Sequence, residues 1–186
     1  MSINLYDALK NSYKDKKTQE KGLKKYGFDL DNSLSNDNQQ VYYNKKNKKL
    51  LFNVSGTHKI SDWVTDAYLA TGHLKDTSRY KQAKSTFDIA KQKYNPKNTS
   101  VVGHSLGATI AGYIGGKNDK IYTLNKGATF GQPIRANETH FRTNGDIVSL
   151  LNSNSKHTIN LKNPNLLKDP YNAHAISTIR NKNIKI

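Results

Sequence analysis

Ser105 lies at the centre of Gly103-His104-Ser105-Leu106-Gly107, with the β-branched Val101-Val102 before it and the small residues Ala108-Thr109-Ile110-Ala111-Gly112 after it. Such a pattern turns a strand sharply into a helix and leaves a serine hydroxyl exposed at the corner, the arrangement of a nucleophile elbow. The serine is held there in a strained backbone conformation, and flanking glycines let helix and strand approach each other closely. The helix start behind Ser105 offers unpaired N–H groups and the positive end of a dipole, where an oxyanion would develop. Leu106 supplies the first of these donors. A second comes from Val54-Ser55-Gly56-Thr57: a strand ending in Gly-Thr sets the Thr57 N–H and hydroxyl at the carboxyl edge of an open α/β sheet, where ligands bind. Asp66 is near enough in sequence to hold the Thr57 side chain.

An acid and a base follow in the chain. Asn144-Gly145-Asp146 ends a strand-like stretch from Thr139, which sets the Asp146 carboxylate at the same sheet edge. His174 opens a short helix in Tyr171-Asn172-Ala173-His174. Nucleophile, acid and base in the order Ser105, Asp146, His174 describe ester hydrolysis through an acyl-enzyme, chemistry that needs no metal or organic cofactor. Five other histidines compete for the base. His58, His73 and His140 precede the acid, and His104 points away from the nucleophile's face. His157 is the rival that follows Asp146; it reads as a residue inside a strand over Lys156–Asn160, whereas His174 reads as a loop residue after a strand, so His174 is preferred.

The elements that must position these groups alternate. Leu5 to Tyr26 shows helical spacing, closed by Gly27, and Asp29 to Gln39 reads as a polar loop. Gln40–Tyr43 and Leu50–Val54 read as a hairpin whose tip is the solvated run Asn44-Lys45-Lys46-Asn47-Lys48-Lys49. Asp76 to Tyr94 is predicted as a long helix with Tyr80, Ala83, Phe87, Ile89, Ala90 and Tyr94 on its apolar face, ended by Asn95-Pro96. The elbow strand and helix come next, then a strand over Asp119–Asn125. Helices between successive strands mark a parallel sheet. Trp63, the only tryptophan, reads as core packing.

The 186 residues suit one domain, spanning 1–186, with a real core. Mean hydropathy is −0.82, so the core must come from a few apolar stretches in a soluble chain. No stretch is long and apolar enough to span a bilayer, and Met1-Ser2-Ile3-Asn4 begins no secretory signal, which points to an intracellular or virion-packaged protein rather than a secreted one. The absence of cysteine excludes disulfides and thiolate metal sites. A net charge of +16, from 30 Lys and Arg against 14 Asp and Glu, favours an anionic partner such as an acidic-lipid surface or nucleic acid. Heavy use of lysine and asparagine, both with A/T-rich codons, accounts for the same excess through genome composition.

The pairing of Val54-Ser55-Gly56-Thr57 and Asp62-Trp63 with Gly103-His104-Ser105-Leu106-Gly107-Ala108, Asn144-Gly145-Asp146 and Asn172-Ala173-His174 resembles the class 3 (fungal-type) lipases of the α/β-hydrolase superfamily, over about Leu5 to Ile179. The resemblance implies a compact α/β-hydrolase fold, a mostly parallel central sheet flanked by helices. It further implies Ser105 as nucleophile, Asp146 as acid, His174 as base, Thr57 and Leu106 as oxyanion donors, Asp66 steadying Thr57, and a mobile lid over Ile60–Trp63. The expected activity is a lipase or phospholipase-like carboxylesterase acting on lipid esters, in peripheral contact with an anionic membrane surface. A soluble acyl thioesterase shares all of this chemistry. The alternative of a different class is a non-catalytic hydrolase fold serving as a basic structural or nucleic-acid-associated protein, in a virus particle for example. Oligomeric state stays open at this stage.

Overall fold

A computed structural model describes residues 2–57, 74–127, 134–152, 155–163 and 170–186. Its centre is a seven-stranded sheet whose spatial order equals the chain order: β1 (Asp29–Leu30), β2 (Gln39–Asn44), β3 (Lys49–Val54), β4 (Asn98–His104), β5 (Lys120–Leu124), β6 (Glu138–Thr143) and β7 (Thr158–Leu161). The first three pair antiparallel, and β3 to β7 run parallel. Parallel neighbours need crossovers, and right-handed crossovers that always step in one direction put their helices on one face. α3 (Ser78–Tyr94) and α4 (Leu106–Ile114) lie there, against Leu50, Phe52, Val54 and Val101. The other face, carrying Leu51, Val102, Leu124 and Phe141, is covered by α1 (Leu5–Ser12) and the C-terminal segment through Ile179. Alternate residues of one strand therefore feed two cores, as the pleat requires.

Local chemistry fixes where the helices begin and end. Asn4 accepts the Tyr6 N–H at 2.9 Å and Asp15 accepts that of Thr18 at 3.0 Å, each satisfying an orphan donor at a helix start. The Asp15 cap divides the predicted Leu5–Tyr26 helical stretch into α1 and α2 (Lys16–Gly22), followed by a single 3₁₀ turn that Gly27 closes in the left-handed region (φ 78°). Two expectations need revision. Asp29 and Leu30, read as loop, form β1, because the backbone is captured by Tyr43 and Tyr42 of β2 rather than by any pattern of its own. Ile89 leaves the buried face of α3 and is 47% exposed, since it sits about 200° around the helix from Phe87. Ala83, Phe87 and Ala90 carry the contact instead. The N-terminal segment pairs with the C-terminal one, Leu5 N–H donating to the Ile184 carbonyl at 2.8 Å and Ile186 N–H to that of Ile3 at 2.9 Å. Among the described residues no helix is long and apolar enough to cross a membrane.

One polar cluster is enclosed by β5 and β6. The fully buried Lys126 ammonium lies 3.0 Å from Glu138 Oε1, and Thr123 donates its hydroxyl to the same carboxylate at 2.9 Å. With that hydroxyl committed, His140 Nδ1, at 3.0 Å from Thr123 Oγ1, must be the donor. Burial, reinforced by the Lys126 cation, holds the His140 imidazole down to a pKa of about 3. The unfolded chain takes up this proton near the ordinary histidine value of about 6.5. Stability is thus fully present above about pH 6.5 and is lost as the pH falls toward 3, by on the order of 1 kcal/mol per pH unit. Urea unfolding followed at pH 7 and at pH 5 should show this loss, and His140→Asn, which keeps a donor toward Thr123, should remove the share of the pH dependence that His140 contributes. Glu138→Gln should cost about 3–5 kcal/mol at pH 7, because it leaves the Lys126 ammonium without its counter-charge.

Candidate active site

The strand β4 ends in a turn that only a close packing of backbone can hold. Ser105 has φ 57° and ψ −127°, a region that residues with a side chain avoid. A β-carbon on Gly103 would collide with the Gly107 carbonyl, and one on Gly107 with the carbonyls of Val54 and Ser55. Strand β4, helix α4 and the end of β3 therefore meet with no room for a side chain between them. Ser105 N–H continues the ladder by donating to the Leu124 carbonyl at 3.1 Å, and the residue is only 4% exposed. Leu106 opens α4, so its N–H is among those without an intrahelical acceptor. Gly56 passes beside the serine, its missing β-carbon 3.2 Å from Ser105 Cβ, and this brings the half-buried Thr57 to the same edge.

Asp146 and His174 are joined at that edge, His174 Nδ1 lying 2.9 Å from Asp146 Oδ1. Asp146 follows a tight turn through Gly145 (φ 88°) just beyond β6. Burial by itself raises its pKa, but the hydrogen bond and charge of His174, with those from Ser149 and the Val148 N–H, outweigh it and hold the carboxyl below the usual range. Val148 N–H donates to Oδ1 at 3.2 Å, Ser149 N–H to Oδ2 at 3.2 Å, and the Ser149 hydroxyl also reaches Oδ2. An ionised carboxylate accepts only, so Nδ1 of His174 carries the proton and Nε2 is the basic nitrogen. The buried Arg142 holds the turn from below, donating to the carbonyls of Asp146 at 2.9 Å and Ser149 at 3.2 Å.

A second set of bonds ties the three approaching segments together, and none of it was anticipated from the sequence. His104 Nε2 lies 2.7 Å from the His174 carbonyl, which can only accept, so Nε2 carries the hydrogen. Nδ1 then accepts the Tyr13 hydroxyl at 2.8 Å, and the Tyr13 oxygen accepts the Gly56 N–H at 2.7 Å. Burial, with the neighbouring His174, presses the His104 imidazole down to about 3, and burial pushes the Tyr13 phenol up to about 12. Both stay neutral through the physiological range. Asn125 adds two donations, to the carbonyls of Ala173 at 3.0 Å and His174 at 3.1 Å. Arg79 of α3 binds the carbonyls of Ser55 and Gly56. The position of His104 next to the serine was a signal for its role; Tyr13, 91 residues away, gave none.

The rival histidines fall elsewhere. His157 directly precedes β7, at the amino end of the parallel sheet, and spends its carbonyl on the His140 N–H at 3.0 Å. It thus lies one residue before the observed strand rather than inside one as expected, and at the end remote from Ser105. His140 sits within β6, in the cluster described above. Asp66, Trp63, His58, His73 and the Ile60–Trp63 segment lie outside the described residues. Among the described residues no group of three or more histidine and carboxylate side chains is arranged to hold a metal ion.

Tyr13→Phe should remove about 1–3 kcal/mol of stability in urea unfolding, because it leaves the Gly56 N–H without its acceptor. The ring-nitrogen spectrum of His104 should move with it, Nδ1 shifting to the position of a lone pair with no hydrogen-bond donor.

No protein-family model matches the chain, and no curated protein does. Solved structures do. The Lip2 lipase of Yarrowia lipolytica aligns with a TM-score of 0.54 at 15% identity, over 82% of this chain and 76% of that one. A triacylglycerol lipase described as having a serine protease triad at its catalytic centre aligns with a TM-score of 0.55 at 16% identity, over 78% of this chain and 71% of that one. The Rhizomucor miehei lipase in complex with its propeptide aligns with a TM-score of 0.50 at 16% identity, over 80% of this chain; the chain spans 62% of that lipase's length. The chain has the α/β-hydrolase fold in the form shared by these lipases.

Proposed function

We propose that the protein hydrolyses carboxylic esters of lipids, with Ser105 as nucleophile, His174 as base and Asp146 as the acid that orients it. Attack of the Ser105 hydroxyl on the ester carbonyl, with its proton passing to His174 Nε2, forms a tetrahedral oxyanion. The N–H groups of Leu106 and Thr57 are assigned to it, the first at a helix N-terminus where negative charge is favoured. Collapse expels the alcohol, protonated by His174, and leaves an acyl-serine that water then hydrolyses by the same steps in reverse. The assignment of Asp66 to the Thr57 side chain and of a lid to Ile60–Trp63 rests on the lipase resemblance. The whole of residues 1–186 is read as one hydrolase domain. The observation that carries this reading is the 2.9 Å His174–Asp146 bond, formed at the sheet edge where the left-handed Ser105 also stands.

A lipid rather than a small soluble ester is favoured by what borders the acid. Ile147 is 70% exposed and Leu150 55%, on the turn that carries Asp146. Apolar side chains held out at the rim of a site favour an apolar phase next to it. The solved neighbours include a triacylglycerol lipase and a fungal lipase–inhibitor complex that serves as a model for interfacial activation in lipases, and this chain's activity is proposed by analogy with them.

Labelling with a fluorophosphonate should be complete in the parent and absent in Ser105→Ala. Asp146→Asn should lower kcat on a p-nitrophenyl ester by about 10⁴, through loss of the correct His174 tautomer. Labelling that persists in Ser105→Ala, or a parent that neither labels nor cleaves ester in the presence of anionic lipid, overturns the reading. The paired variant Ile147→Ser/Leu150→Ser should keep its rate on soluble ester and lose rate on emulsified triacylglycerol, and equal loss on both would remove the argument for a lipid interface.

A further inference from the structure

The amino end of the parallel sheet, opposite the edge that carries Ser105, holds a second convergence of polar side chains. Register pairs Lys49 of β3 with Asn98 of β4, and Ser100 of β4 with Lys120 of β5. Residues paired across a ladder, or two apart along a strand, share one face of the sheet. Two ammonium groups, a carboxamide and a hydroxyl are therefore brought onto one face of three adjacent strands. They line a cavity of about 110 Å³ whose apolar wall includes Ile3 and Phe28. Asn98 is seven residues before Ser105 on the same strand, about 23 Å at the usual rise of an extended chain, so this cavity is distinct from the site above.

None of the four side chains makes a hydrogen bond or ion pair with another described residue. Among the described residues, Lys25, Lys84, Lys91, Lys93 and Lys126 do pair with carboxylates. Asp119, next to Lys120 in sequence, is turned to Lys91 at 2.8 Å and to the Gly116 N–H at 2.7 Å. The surroundings add charge of the same sign. Lys45, Lys46 and Lys48 are exposed on the hairpin between β2 and β3, and Lys97 is exposed on the segment whose N–H donates to the Lys48 carbonyl at 2.8 Å. Two cations facing one cavity repel each other until an anion lies between them. Four donor groups converging from three strands, two of them cationic, match the charge and spread of a tetrahedral oxyanion, for which lysine acts as a point charge. The apolar wall leaves room for the carbon of an ester beside it.

We propose that this cavity binds a phosphate or phosphate-ester group. Its source is a soluble phosphorylated molecule or the headgroup of an anionic lipid, and the test separates them. The ¹⁵N-labelled full chain is titrated with inorganic pyrophosphate in about 150 mM salt, where the field of scattered surface charge is screened beyond about 8 Å. The expected result is saturable shifts at Lys49, Asn98, Ser100 and Lys120, weakened about tenfold or more in Lys49→Gln/Lys120→Gln and unchanged in Lys81→Gln, an exposed control on α3. The same spectra report that both variants are folded. Co-sedimentation with phosphatidic acid vesicles that pyrophosphate competes away, and that the double variant loses, assigns the lipid headgroup; pyrophosphate binding without such sedimentation assigns a soluble phosphate ester. Shifts that never saturate, spread over all lysine-rich surfaces and persist in the double variant overturn the proposal. Fluorophosphonate labelling of Ser105 is expected to be the same in all three proteins, so this test and that of the esterase reading fail independently.

Discussion

Everything at the carboxyl edge of the sheet depends on how closely the backbone of α4 approaches β3 and β4. Gly103 and Gly107 remove the two side chains that would separate them, and the carbonyls of Val54, Ser55 and Gly107 fill that space. The reward for this contact is that Ser105 can occupy a left-handed conformation at the corner, with its strain offset by the packing on either side. The same contact brings Gly56 against Ser105 and so determines where Thr57 can stand. A methyl group at Gly103 would push α4 off β4, and one at Gly107 would push it off the end of β3.

The parts of the fold that a reader of the chain could find are those set by short-range pattern. The β3, β4 and β5 strands are apolar runs bounded by breakers, and the elbow has its own spacing, so sheet class and serine position were both legible. The order of Asp146 and His174 after Ser105 was legible too, because turn residues and chain order carry it. What escaped was set by partners distant in sequence. Strand β1 exists because β2 offers it a ladder. Tyr13 lies on the last turn before α2 and looks like an apolar helix residue; its hydroxyl matters only because folding puts it between Gly56 and His104. Arg142 and Asn125 likewise look like ordinary polar residues until the carbonyls they bind are known. His157 reads as a residue inside a strand and stands one residue before β7, for a related reason: periodicity places a residue in or near a strand, but only topology says at which end.

The excess of lysine has a spatial meaning that composition could not express. The sheet has two ends of opposite character. At the carboxyl end the titratable groups are buried and hydrogen-bonded to one another, as His174 and Asp146 are. At the amino end Lys49 of β3, Lys97 just before β4 and Lys120 of β5 stand without carboxylate partners among the described residues. Genome composition explains how lysine becomes common, whereas the register of three strands explains why some of it gathers around one cavity.

Because spatial order follows chain order, each strand is laid beside one already in place, and most of the sheet can grow without waiting for distant sequence. Two tasks are nonetheless left to the last stretch of chain. It brings His174 to Asp146, and it covers the α1 core through Ile179 and the pairing of Ile184 and Ile186 with Leu5 and Ile3. A nascent chain would therefore hold its sheet early, and the contact between His174 and Asp146 would close only at the moment the second core is sealed.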